Sequence, residues 1–137
     1  MRSRERRSIV QVCMGYSFGG PHMYLLRIAE EAARRGFHNI IATNRRSSLA
    51  ALARRHGIDV LTIENNDRGS FWHRVRRTSS GGKVVAVHLH SIRGLPRGFI
   101  SLPSDIPLLL TEHSYRFRDV LHPLSSCLLY TSPSPRD

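Results

Sequence analysis

The sequence predicts an α/β protein: one open, parallel β-sheet with helices on both faces. Three observations lead there. Short apolar, β-branched runs alternate with stretches whose apolar residues recur at helical spacing, the pattern of strands joined by crossover helices. The run Val84 to Leu89 is almost continuously apolar, as a parallel strand buried on both sides must be. Helix-stopping glycines and a Ser79-Ser80-Gly81-Gly82 loop separate the runs.

Ile9 to Met14 is the first predicted strand, and the loop Gly15 to Gly20 follows it. Pro21 suits the first turn of a helix and Gly36 its C-terminal stop. Leu25, Ile28, Ala29 and Ala32 give that helix one apolar stripe, with Arg27, Glu30, Glu31, Arg34 and Arg35 on its wet sides. Asn39 to Thr43 reads as a second strand. Ser47 or Ser48 then caps a helix running through Leu49, Leu52 and Ala53 to His56, stopped by Gly57. Asp59 to Ile63 is the third strand, and Ser70 to Arg77 a short helix with Phe71 and Val75 inward. Val84 to Leu89 is the fourth strand. Gly94, Pro96 and Gly98 break up the stretch after it, and Ile106 to Thr111 is the fifth, with Pro107 at its start.

The chain has 137 residues, the length of one domain, and no apolar run long enough to span a bilayer. The N-terminus lacks a signal-peptide pattern, and two cysteines make no disulfide framework, so a reducing cytoplasm is expected. Lys+Arg number 21 against 10 Asp+Glu, a formal charge of +11. Lys83 is the only lysine, and the arginines come as scattered pairs with few aromatics among them. This composition leaves a nucleic-acid-binding protein open as a rival but supplies no recognition motif for one. Contact with the inner face of an anionic membrane is a weaker expectation, because no basic amphipathic helix stands out.

In a parallel sheet all strand C-termini meet one edge, where ligands bind. Three polar clusters follow predicted strands: Gly15 to His22, His88-Leu89-His90-Ser91, and Glu112-His113-Ser114. Gly19-Gly20 either permits a tight turn or lets backbone N–H groups approach an anion at a helix start. The loop is not a dinucleotide fingerprint, and the second strand is followed by Asn44 rather than an acid. His88 and His90 share a strand face. A metal pair of the HxH kind would need further ligands and a closed barrel, so the preferred reading packs one histidine inside the layer and sends His90 to the crevice. Cys13 reads as a small core residue.

Together these residues resemble the N-terminal half of a GT-B glycosyltransferase of the family-four type. The likeness rests on GYSFGGPHMYLLRIAEEAARRGF, VVAVHLHS and PLLLTEHS in that order, and runs from about Ile9 to about His122. It implies a Rossmann-like acceptor-side domain of a two-domain enzyme that moves a hexose from a nucleotide-diphosphate sugar with retention and without a metal or other cofactor. It implies His113 as the active-site histidine. Gly19 and Gly20 would lie near donor phosphates or acceptor, and His90, Ser91 and Ser114 would bind substrate. The role of His22 stays open. The acceptor is a sugar, a lipid-linked sugar or a polysaccharide by family association. The family's diphosphate-clamping Arg/Lys pair and Glu-x7-Glu element belong to a second domain that this chain does not carry. A non-catalytic Rossmann-like phosphate- or nucleotide-binding module is the alternative.

The segment from Cys127, CLLYTSPSPRD, lacks strand or helix periodicity and resembles the translation of a sequencing-library adapter. The expected organisation is therefore a basic end over residues 1–8, the domain over 9–126, and a non-native tail over 127–137.

Overall fold

A computed structural model describes residues 5–15, 19–64, 70–79, 82–90, 105–111 and 129–131. Six strands and three helices follow one another: β1 (Arg7–Val12), α1 (Gly20–Arg34), β2 (His38–Thr43), α2 (Ser48–Arg55), β3 (Asp59–Thr62), α3 (Ser70–Thr78), β4 (Lys83–Leu89), β5 (Leu108–Thr111) and β6 (Leu129–Thr131). The strands form one sheet in the order β3-β2-β1-β4-β5-β6, and every neighbouring pair is parallel. This is the Rossmann-like open sheet the sequence predicts.

Alternation along the strands sends one set of side chains to each face. Val10, Val12, Ile40, Ala42, Val87, Leu89 and Leu110 pack against Phe71, Trp72 and Val75 of α3. Cys13 and Ile41 pack against Leu25 and Leu26 of α1 and Leu49 and Ala53 of α2 on the other face. Each fully buried Leu, Ile or Phe contributes roughly 1.5–3 kcal/mol, so these two layers hold the helices to the sheet. A register shift between Ser8 and Ile9 lets β4 gain one residue on β1. It puts Val87 and Leu89 opposite Val10 and Val12, and His88 opposite Gln11; without it the faces of β4 would exchange.

The helix stops follow the predicted chemistry. Phe37 N–H reaches Ala32 O and Gly36 N–H reaches Ala33 O, both at 3.0 Å, and Gly36 takes φ +87°. Ile58, Gly57 and α2 repeat the arrangement, with bonds of 3.0 Å to Ala53 O and Arg54 O and φ +72° at Gly57. Both are Schellman closures, which need the left-handed backbone that glycine adopts without penalty. At the start of α2, Ser47 rather than Ser48 is the cap, accepting Leu49 N–H at 3.1 Å.

The structure departs from expectation in several places, among them that β5 begins at Leu108 rather than Ile106. β1 begins at Arg7 rather than Ile9, because the parallel ladder pairs backbones whatever their side chains: Arg7 stands opposite Lys83, and Lys83 N–H reaches Arg6 O at 2.7 Å. The buried stripe of α1 is His22, Leu25, Leu26 and Ala29, while Ile28 and Ala32 are only half-buried. The helical template is the predicted one but starts from His22, which turns inward. β4 is fully buried only through Val87 and Leu89, because the core under α1 and α2 takes no residue from β4 or β5. The sheet also gains β6 from within the segment read as a tail, pairing Leu109 to Thr111 with Leu129 to Thr131. An open parallel edge offers unpaired N–H and C=O groups to any β-prone segment that reaches it. Among the described residues, no helix is long and apolar enough to cross a membrane.

Candidate functional site

β1 and β4 are neighbours in the sheet, yet the connection leaving β1 goes to β2 on one side and β4 leads to β5 on the other. Such a reversal opens a crevice beyond the strand C-termini, the usual binding place of a doubly wound sheet. Gly15, the start of α1 and the end of β4 lie at that edge.

The exit from β1 is tied down by two side chains. Gly15 takes φ +134° and donates its N–H to Asn44 Oδ1 at 2.5 Å. Asn44, noted in the sequence only as a departure from the acidic dinucleotide pattern, thus joins the ends of β1 and β2. His22 Nδ1 accepts Gly19 N–H at 3.1 Å, and the ring also bonds to the backbone of Met14. The ring therefore staples both ends of the glycine loop. Its Nδ1 must be unprotonated to accept, and burial holds the His22 pKa below the usual histidine value against a smaller opposing effect of the Met14 bond.

Gly19 and Gly20 form the cap and first position of α1. Gly19 is extended (φ −149°), and a Cβ there would meet Pro21 Cδ no closer than 3.8 Å. A Cβ on Gly20 would meet nothing within 4 Å. No tight turn at these residues demands glycine, so of the two sequence readings the turn explanation loses its support. The other reading, backbone N–H groups of a helix start offered to an anion, needs glycine for close approach rather than for a turn.

The histidine pair closes the other side. The ring centroids of His88, in β4, and His90, just after it, lie 4.0 Å apart on one face of the sheet, as period-two spacing predicts. Their exposure is the reverse of the expected one. His90 is completely buried, with Nε2 at 2.8 Å from Gln11 Oε1 and its ring edge-on to Tyr24 of α1; His88 is half-buried and bonds Thr111 Oγ1 through Nε2 at 2.7 Å. His90 lies inside the layer because α1 reaches over β1 to cover it, whereas the α1–α2 core stops short of β4.

These bonds belong to one polar belt across the sheet. Asn39 Nδ2 donates to Ala29 O of α1 at 2.9 Å, so Asn39 presents its oxygen to Gln11 Nε2 at 3.5 Å. Gln11 then presents Oε1 to His90, which must carry its proton on Nε2. A backbone carbonyl of α1 thereby sets the tautomer of a histidine two strands away. Reversing the amides would point Asn39 Oδ1 at a carbonyl oxygen. Neither Gln11 nor Asn39 stood out in the sequence; a glutamine inside an otherwise apolar strand was the available signal.

At the opposite edge, Ser8 Oγ lies 2.9 Å from His38 Nδ1, and His38 Nε2 lies 2.6 Å from Asp59 Oδ2. This Ser-His-Asp row is no nucleophilic site, because Ser8 is fully buried. It stitches the starts of β1, β2 and β3 together. Cys13 is buried and its thiol is pushed up to about 12 by that burial, so it is a core residue rather than a nucleophile. Among the described residues, no group of three or more His, Cys, Asp and Glu side chains could hold a metal ion.

Ser91, Glu112, His113 and Ser114 lie outside the described residues. β5 ends at Thr111, so His113 follows it by two residues. Comparison with protein-family models, curated proteins and solved structures finds no match for this chain.

Proposed function

We propose that the chain is the acceptor-side, Rossmann-like half of a glycosyltransferase that moves a hexose from a nucleotide-diphosphate sugar to a sugar, lipid-linked or polysaccharide acceptor. The observation that carries this reading is the reversal of strand order between β1 and β4, which sets the start of α1, with Gly19 and Gly20, and half-buried His88 at the C-terminal edge of the sheet.

On this reading, N–H groups at the start of α1 stabilise charge on a phosphate or on the transferring sugar's oxygen. His22 holds the loop in the shape that presents them. Half-buried His88 faces acceptor hydroxyls, and buried Thr111 and His90 position its ring, by the 2.7 Å bond and by ring contact, rather than meeting substrate. His113 is assigned to the reacting sugar on resemblance. Leaving-group stabilisation is usually the largest catalytic contribution in such transfers, and its residues belong to the second domain. The 137-residue chain is therefore expected to transfer no sugar alone.

The test uses the protein encoded by the uninterrupted gene around residues 9–126, assayed with labelled uridine- and guanosine-diphosphate hexoses. Transfer that falls at least 100-fold on His113→Ala and on Gly20→Val, with the melting temperature kept, supports the reading. A gene without a second α/β domain, or nucleotide binding without any transfer, overturns it and leaves the nucleotide-binding module. Turnover by the 137-residue chain above its own His113→Ala control refutes the division of labour between the domains.

A further inference from the structure

We propose that the edge of the sheet where the strands begin is a basic docking face for an anionic lipid bilayer. The strands are parallel, so every strand start, and every helix end leading into one, shares that edge. Arg6 precedes β1, Arg7 opens it and Lys83 opens β4; all three are exposed. The helices deliver Arg34 and Arg35 at the end of α1, Arg54 and Arg55 at the end of α2, and Arg76 and Arg77 at the end of α3, again all exposed. Pairs that look scattered in the sequence are thus collected at one pole.

The described carboxylates at or near this edge are Glu5, Glu30, Glu31, Asp59 and Asp105, five against nine cations. Glu31 is already engaged by Arg34 at 2.7 Å and Arg35 at 3.3 Å, and Asp59 by His38. At the opposite edge, the described charged residues just beyond the strands are Arg45, Arg46 and Glu64. Helix dipoles favour a cation in each last turn. They do not account for arginines in pairs, nor for those that open strands.

The partner is chosen by shape and chemistry. Five separate elements bring charge to one end of the sheet, an arrangement suited to a plane of anionic headgroups, which attracts each nearby Lys or Arg. Nucleic-acid phosphates are commonly met by helix N-termini, and here those lie at the other edge. Single-stranded binding uses exposed aromatic platforms. Among the described side chains, Tyr24 and Phe37 are half-buried and Phe71 and Trp72 buried, and Phe37 lies 4.7 Å beneath the Arg7 guanidinium. The docking face stands independently of the sugar-transfer reading.

The experiment is co-sedimentation of the 137-residue chain with phosphatidylcholine vesicles and with vesicles carrying one quarter phosphatidylglycerol. Two triple variants lose the same charge: R54Q/R55Q/R77Q at the pole and R27Q/R45Q/R46Q away from it. Each arginine near such a surface is worth about fivefold in partition. The wild type is expected to bind only the anionic vesicles, the pole variant to lose at least tenfold, and the second variant to stay within about twofold. Matching circular dichroism spectra establish that both variants are folded. Equal losses in the two variants, equal binding to neutral vesicles, or tighter pole-dependent binding to a generic DNA or RNA duplex would overturn the proposal.

Discussion

His22 illustrates how a single side chain carries two roles that its position in the sequence does not announce. It is the first member of the buried stripe of α1, and its imidazole closes the glycine loop by accepting Gly19 N–H. Because the folded protein holds the neutral form, the unfolded chain binds more protons between the folded pKa and the ordinary value of 6.5. The staple's full contribution is present above that ordinary value and is lost as pH falls through the folded pKa. Urea unfolding should show it: His22→Gln cannot titrate, so lowering the pH from 7.5 to 5 should destabilise the wild type more than the variant. A wild-type-to-variant difference that is the same at both pH values refutes the staple. His90 has the opposite lesson. The sequence places it correctly beside His88 but cannot say which of the two is covered, since that depends on how far α1 extends over the sheet.

At the scale of elements, local chemistry writes most of the outcome. Gly36 and Gly57 stop helices where the sequence says they must, and Ser47 caps α2. Strand boundaries are less legible, because a parallel ladder recruits Arg7 and Lys83 through backbone pairing that side-chain pattern does not report. Gly82 belongs to this scale. The sequence marks it as loop punctuation, but a Cβ there would collide with the Arg6 carbonyl oxygen and lie 2.9 Å from Arg6 Cβ. The junction of β1 and β4 is thus built on the closeness of two backbones. Gly82→Ala should cost about 1–3 kcal/mol in chemical denaturation, as forced overpacking does. A loss below about 0.5 kcal/mol would mean that the junction gives way freely.

Across the whole molecule, β6 contributes three described residues to the sheet, and among the described residues its partner is β5. Backbone pairing of that extent at an edge contributes little beside the two packed layers. Deleting residues 127–137 should therefore move the melting temperature by no more than about 4 °C. A larger fall would show the segment to be an integral part of the domain. The charge belongs to this scale as well. The sequence shows +11 spread along the chain in pairs, and only the common direction of the strands gathers most of those pairs at one end. By itself, the sequence determined the α/β class, the helix stops and the alternation of strands, because each depends on neighbours within a few residues. Tertiary structure alone decided the polar belt from Asn39 to His90, the Ser8-His38-Asp59 row and the basic pole. Each of these joins residues tens of positions apart, brought together by strand order and register, which local periodicity does not encode.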